Sequence, residues 1–547
     1  MEGVLTGLGK IAVTAPKTAL VALRRRETLA TEKRKILWVD DEIDLLKPHI
    51  LFLEGRGYSV TPIANGEDAI QMASRQKFDI VLLDEMMPGL GGLETLKGIK
   101  DIDPNVPVIM ITKSEEEQLM DEAIGKRIAH YLIKPVNPTQ ILMACKQVLE
   151  SRRLLDDHLT REYVEEFNRL QALRAAGLDW EGWAKLHVAL SSWDVRLDDA
   201  EDSGLKQSQA DLRKEADVEF GSFVENNYVS WLSGTEGPPL SPSLFQKFIV
   251  PHLKQNKRVY FVVIDCMRLD QWFKIEPLLE TYFNISRDYY YSILPTATPY
   301  SRNAMFSGLF PLEIAQKYPE YWQENVPEEI SRNRFEKNLM EAQLDRLGIK
   351  LNPGPRYVKV YNTEEANAIK RQVSTYLSIP FAAFVFNFLD ILAHGRSESE
   401  ILQELAPDES AFRSLMRSWF NHSVLFDILK AMAQQEAVVI ISSDHGSILG
   451  KKAALVYGDR ETSTNLRYKF GNNLVCDDKQ ALHVKDPRRF KLPANGLNKN
   501  YILAKEDYYF VYPTKFHEYE RQYRGSFQHG GISLEEMILP CITLEPK

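Results

Sequence analysis

Cysteine is scarce in this chain: 547 residues contain four, Cys145, Cys266, Cys476 and Cys541, scattered and without a C-x-x-C pair. That argues against a disulfide framework and favours reduced thiols, as in a cytosol. Long apolar runs are missing too. Without eighteen consecutive apolar residues, no membrane span is expected. Positive charge is short: a net charge of −9 argues against a broad nucleic-acid-binding surface, although a local basic cleft stays open. With 44% hydrophobic and 26% charged residues the composition is that of a soluble globular protein, and the length leaves room for three or four cores.

Acidic residues are absent between Glu2 and Glu27, where the chain is Ala/Val/Leu-rich and carries Arg24, Arg25 and Arg26. The apolar part precedes the basic cluster, the wrong order for a secretory signal. Residues 1–35 read as a disordered or amphipathic leader, or as a start codon placed too early, and carry no assigned function.

Residues 36–152 alternate strand and helix. Ile36–Val39 runs into Asp40 and Asp41, Ile80–Leu83 into Asp84, Val108–Ile111 into Thr112, and Tyr131 leads through Lys134 to Pro135. Five βα units of this length predict a doubly wound parallel (βα)5 sheet whose strand ends share one pocket. Three carboxylates there repel one another unless a divalent cation is present, so the pocket calls for one Mg²⁺. Asp40 and Asp41 would hold it, Asp84 is the candidate acyl-phosphate acceptor, Lys134 would pair with the phosphoryl group and Thr112 would hydrogen-bond it. The segment resembles the response-regulator receiver family over its whole length. The resemblance implies the backbone carbonyl of Met86 as a further Mg²⁺ ligand, Tyr131 as the rotating aromatic of the switch, and a cis Lys134–Pro135 bond. The bulky Met86 and Lys113 are expected to crowd an attacking water and lengthen the phosphorylated lifetime.

Residues 153–243 predict a helical connector bundle. Leu154, Leu155, Leu159, Tyr163, Phe167 and Leu170 recur at helical spacing, with charged residues opposite. Trp180, Trp183 and Trp193 are expected to pack its core. Its first helix continues the receiver's last one and could transmit a state change. A turn-rich linker, Ser233 to Pro242, then leads into residues 244–547.

In that last part, Thr298 lies in a turn bounded by Pro295 and Pro299, before a short helix whose N-terminus would face an anion. A threonine there is either a helix cap or, with a base or metal to activate it, a nucleophile. Around it, the strand Val259–Ile264 ends in Asp265, and Asp390 and His394 share a helix face. The strand Ala437–Ser443 ends in Asp444-His445-Gly446, and His529-Gly-Gly-x-Ser533 closes the set. Mixed His, Asp and Thr donors at strand ends suit zinc.

These residues resemble the alkaline phosphatase superfamily, in particular its PglZ-type and nucleotide pyrophosphatase/phosphodiesterase branches, an α/β sandwich. Asp265-Cys-Met-Arg-Leu-Asp270 departs from the usual pattern by placing Cys266 where Gly stands. The resemblance implies two zinc ions, one held by Asp390, His394 and His529. The other would be held by Asp265, Asp444 and His445, with Thr298 as nucleophile and oxygen ligand. Arg302 could face the phosphate or cap its helix. Aromatics interleaved with bases at 313–380 and 447–525, among them Tyr321, Trp322, Arg467 and Tyr468, could stack bases or form the cap's own core.

Receiver, connector and PglZ-type domain together resemble the PorX-type regulators of type IX secretion in Bacteroidetes. That resemblance implies phosphorylation of Asp84 by a sensor histidine kinase, a phosphorylation-linked homodimer and an alternative sigma factor as partner, in a protein expected to be cytoplasmic. Similarity to the nucleotide pyrophosphatase/phosphodiesterase branch implies a zinc phosphodiesterase output acting on nucleotides or oligonucleotides. The rival output is a protein-interaction domain that keeps zinc for structure and acts through the sigma factor. A DNA-binding regulator ranks last, because no recognition-helix module follows the receiver.

Overall fold

A computed structural model describes residues 33–113, 128–200, 202–234, 236–322, 333–459, 465–493, 499–514 and 516–547, without the side chains at 151–156 and 397–398. The leader expected at residues 1–35 lies, up to residue 32, outside the described residues. The first strand already starts at Arg34.

Apolar runs form the strands β1 (Arg34–Val39), β2 (Tyr58–Ile63), β3 (Ile80–Asp84), β4 (Val108–Thr112) and β5 (His130–Ile133), with α1 (Lys47–Glu54), α2 (Gly66–Arg75) and α3 (Gly92–Ile102) between them. All pair in parallel in the order β2-β1-β3-β4-β5, the doubly wound arrangement the alternation predicts. Strand side chains alternate between two cores: Ile36, Trp38, Ile80 and Leu82 in one, Leu37, Val39, Val81 and Leu83 in the other. Burial on both faces is why these strands read as continuous apolar runs.

The helix α4 runs unbroken through Pro138–Ala175, followed by α5 (Trp180–Leu197) and α6 (Ser203–Trp231). Trp183 meets Phe220 edge-on at 5.4 Å, and Trp193 is buried under the Arg196 guanidinium, so both pack a core as expected; Trp180 is only partly buried. Contacts divide the chain into two units. One comprises residues up to Arg169 with Asp199–Leu205, the other Leu170–Asp198 with Lys206–Lys547. Most of the connector thus shares a unit with the C-terminal domain. The physical reason is a set of buried polar bonds: Arg213 to Glu535 at 2.6 Å and the Leu534 N–H to Asp217 at 2.9 Å.

That second unit is built on a six-stranded sheet of β6 (Arg258–Ile264), β7 (Phe283–Tyr291), β8 (Arg356–Val360), β9 (Phe381–Phe386), β10 (Ala437–Ser442) and β11 (Ile538–Pro546), in the order β7-β11-β10-β6-β9-β8. The four strands from β10 to β8 are parallel; β11 runs antiparallel to both neighbours. Along β6, Tyr260, Val262 and Ile264 face one core while Val259, Phe261 and Val263 face the other. The helices that matter for the site are α7 (Leu269–Leu279), α8 (Thr298–Ser307), α9 (Glu336–Arg346), α10 (Phe388–Glu398), α11 (Glu409–His422) and α12 (Leu534–Met537).

Candidate metal centres

The carboxyl ends of β1, β3 and β4 and the turn after β5 bring the receiver residues together. Asp40, Asp41 and Asp84 offer ligand oxygens within 4.8 Å of one another. The Lys134 ammonium sits 3.1 Å from Asp40 and 2.9 Å from Asp84. Burial raises the Asp84 carboxyl above its usual range despite the Lys134 hydrogen bond, and Asp84 Oδ1 is buried without a partner. A divalent cation satisfies both facts, so the residues fit Mg²⁺. Thr112 is buried at the end of β4, Tyr131 is half-buried on β5, and the Lys134–Pro135 peptide is cis. The Met86 and Lys113 side chains are both exposed.

In the second unit the sheet delivers Asp265 directly after β6 and Asp444 two residues after β10. One turn of α10 separates Asp390 from His394, so they share a face, with Oδ1 and Nε2 3.3 Å apart. His529 arrives by a short ladder in which Ile448 and Leu449 pair with Gln528 and Phe527. This ladder lays the two histidine loops side by side, and the His445 and His529 rings stack at 4.0 Å.

Two ligand trios result. Asp390, His394 and His529 form one, with the His394 and His529 Nε2 atoms 3.3 Å apart and His529 Nε2 3.6 Å from Asp390 Oδ1. Asp265, Asp444 and His445 form the other, with His445 Nε2 3.7 Å from Asp265 Oδ1 and 3.6 Å from Asp444 Oδ2. Thr298 Oγ1 lies 2.9 Å from His445 Nε2. Ala297 occupies the cap position of α8 and Thr298 its first turn, without a side-chain cap bond. Thr298 is therefore not a helix cap.

Buried oxygens without partners mark where cations fit: Asp265 Oδ1, Asp390 Oδ1 and both carboxylate oxygens of Asp444. The histidines are oriented for it. His445 Nδ1 lies 3.0 Å from the Gly446 carbonyl and His529 Nδ1 3.3 Å from the Thr296 carbonyl, contacts that place Nε2 toward the centre. Burial holds His529 well below the usual histidine range, so the ring is neutral and its lone pair available. Burial alone would raise Asp390, but the His394 imidazole beside it takes it below the usual carboxylate range. Asp265 goes the other way, because burial pushes it up while Arg302 pulls it down. The donor set of oxygens and imidazoles fits two zinc ions.

Backbone constraints explain parts of the sequence signature. A Cβ on Gly446 would meet the Glu535 carbonyl at 1.9 Å, so only glycine can follow His445. Gly530, after His529, has φ +119°. Cys266, in the glycine position of the pattern, has φ 67°, a left-handed conformation that costs about 1–2 kcal/mol for a residue with a Cβ.

Some expected roles shift. Arg302 is 1% exposed, with Nη1 2.6 Å from Asp265 and Nε 2.6 Å from Glu336, so it does not face a substrate phosphate. Arg467 is likewise buried against Glu536 at 2.5 Å. The N–H groups of Tyr300 and Ser301 are taken by the Ala297 carbonyl, and Pro299 has none, so the helix end offers fewer donors than expected. Tyr321 stacks on Tyr318, and Tyr300 meets Trp322 and Tyr468 edge-on, which is how a cap builds its own core.

The pattern also missed a buried charge network. Asp270 is held by Arg268 at 2.5 Å and Arg413 at 2.7 Å, Arg268 reaches Glu409 at 2.7 Å, and Arg413 reaches Asp198 at 2.5 Å. Only Arg268 and Asp270 lay within a recognisable signature; the others carry no local signal.

Comparison with known proteins identifies the domains that carry these residues. Residues 36–146 match the response regulator receiver domain, 153–232 the PorX response regulator linker domain, and 244–544 the domain described as BREX system PglZ alkaline phosphatase-like. Among curated relatives, the transcriptional regulatory protein ResD of Bacillus subtilis is 32% identical over 119 residues, 22% of this chain and 49% of its own length. The CpxR homolog of Haemophilus influenzae is 38% identical over 136 residues, 24% of this chain and 58% of its own. The chain thus spans about half the length of these relatives, at the receiver. Chemotaxis protein CheY4 of Vibrio cholerae, a solved structure, is 30% identical with a TM-score of 0.20, covering 21% of this chain and 99% of that one. Since the PglZ match alone takes in more than half of the residues, the chain belongs to the PglZ alkaline phosphatase-like family, and the receiver and PorX linker ahead of that domain make it a PorX-type response regulator.

Proposed function

We propose that the output domain is a di-zinc phosphodiesterase acting on nucleotides or oligonucleotides, controlled by phosphorylation of Asp84 from a sensor histidine kinase. The observation that carries this reading is the pair of ligand trios with the Thr298 hydroxyl 2.9 Å from His445 Nε2. Zinc bound at the two trios would supply Lewis acidity at the phosphoryl oxygens and lower the pKa of the attacking and leaving oxygens. The chain's own residues do the rest. Thr298 Oγ1 attacks phosphorus as the bond to the leaving alcohol breaks, and water then releases the phosphoryl group from Thr298. The Gly446 and Thr296 carbonyls keep both imidazoles in one tautomer, with Nε2 turned inward. The His394 side chain is the most open of the ligand groups, 46% exposed, so substrate approaches from that side.

The match to the PorX linker domain supports, as the biological setting of this proposal, a cytoplasmic regulator of type IX secretion that forms a phosphorylation-linked homodimer and acts with an alternative sigma factor. The rival reading, a zinc-bearing interaction domain without turnover, is favoured by one observation. Arg302, which could have faced the phosphate, and Arg467, one of the bases among the cap aromatics, are spent on buried ion pairs. The test is to measure molecular mass by light scattering and turnover of a chromogenic phosphodiester together, with and without beryllofluoride. The proposal expects beryllofluoride to raise the dimer fraction and change turnover. A zinc-loaded chain with no turnover in either state sinks the enzyme reading, and unchanged mass and rate sink the coupling.

A further inference from the structure

The helix α8 places Thr298 and Arg302 four residues apart, one turn along the same face. The hydroxyl looks into the second trio, while the guanidinium runs underneath it. Arg302 Nη1 donates to Asp265 Oδ2 at 2.6 Å and lies 3.8 Å from Asp444 Oδ2. On its other side, Nε donates to Glu336 Oε1 at 2.6 Å. Glu336, on α9, is itself held: Tyr357 hydrogen-bonds its other oxygen, and Lys359 Nζ stands 3.3 Å from it. Arg302, Glu336, Asp265 and Asp444 are each 1% exposed or less, so water cannot substitute for any member of this chain.

A carboxylate with one oxygen taken by a guanidinium has a single oxygen left to give. Asp265 Oδ2 is occupied, whereas Oδ1 has no partner and lies 3.7 Å from His445 Nε2. We infer that Arg302 is a positioning residue for the second trio: it fixes Asp265 as a one-oxygen ligand and ties the helix carrying Thr298 to both carboxylates. The inference rests on the two-ion reading proposed above. Arginine suits the task because its planar fork presents Nη1 to one acid and Nε to another on its far side; a lysine gathers its donors at one point and cannot span the two. The ligand carboxylates that Arg302 meets, Asp265 and Asp444, both belong to the second trio. Its loss therefore acts on one ion and spares the other.

The test uses the full chain stripped with a chelator and back-titrated with zinc in a calorimeter. Wild type is expected to take two ions. Arg302→Lys keeps the charge but loses the fork, and is expected to bind one ion as wild type does and the second 10–100-fold more weakly, the usual effect of losing an outer-shell partner. Glu336→Gln removes the charge that anchors the far end of the guanidinium and is expected to weaken the same ion by less. Circular dichroism checks folding, and Glu336→Gln carries the test should Arg302→Lys fail to fold. Cobalt substitution gives a second readout, since the visible spectrum of only one of two ions is to change. Wild-type affinity for both ions in a folded Arg302→Lys chain overturns the inference, and so does equal weakening of both. A wild-type chain that takes fewer than two ions overturns the two-ion reading itself.

Discussion

Thr298→Val is expected to lower phosphodiester turnover by about three orders of magnitude or more while the chain still binds two zinc ions. Valine keeps the shape of threonine and removes only Oγ1, the atom 2.9 Å from His445 Nε2. The six Asp and His ligands stay in place, so the metal remains and the nucleophile is lost. Steady-state rates on a chromogenic phosphodiester, with zinc content measured on the same sample, separate the two. A variant that turns over as fast as wild type removes Thr298 from the chemistry. If the variant loses turnover only because it loses zinc, Thr298 is a ligand and not a nucleophile.

Asp270→Ala is expected to destabilise the second unit by about 3–5 kcal/mol, the usual cost of breaking a buried ion pair from one side. Asp270 is 2% exposed and accepts from two guanidinia, Arg268 and Arg413, that are themselves 3% and 7% exposed at the side chain. Removing it leaves both cations buried with one acid fewer. Burial alone would raise the Asp270 carboxyl, but Arg268 and Arg413 hold it well below the usual range. A carboxyl depressed in the folded state stabilises above its unfolded pKa of about 3.9, and that stability is lost as the pH falls toward the folded value. The gap between wild type and variant is therefore expected to be full at neutral pH and to narrow below about pH 4. Urea denaturation at several pH values measures it. A gap under about 1 kcal/mol at pH 7, the range of an exposed pair, would contradict the buried-network account.

What could be read from the residues alone follows a physical line. A strand buried on both faces is an unbroken apolar run, and the residue that ends it stands where sheet sites gather, so Asp84, Thr112, Asp265 and Asp444 were visible. Asp390 and His394 were visible because helical spacing is local. Partnerships across the fold leave no such trace. Arg302 and Glu336 are 34 residues apart, Arg467 and Glu536 are 69 apart, and Arg213 and Glu535 are 322 apart. An arginine near a nucleophile reads equally well as a phosphate ligand or a buried clamp until its acid is found. The same long-range pairs explain why the connector, drawn as a separate bundle, shares a unit with the catalytic-type domain: Arg213 and Asp217 on α6 hold Glu535 and the Leu534 N–H at the start of α12. Cys266 was visible only as a departure from glycine; its left-handed backbone gives the reason glycine is usual there.

Diffraction from zinc-loaded crystals on either side of the zinc absorption edge tests the central claim most directly. Two anomalous peaks are expected, one about 2.0–2.2 Å from ligand atoms of Asp390, His394 and His529, the other at that distance from Asp265, Asp444 and His445 with Thr298 Oγ1 beside it. A single peak, or ions bound elsewhere with these seven side chains empty, would contradict the account.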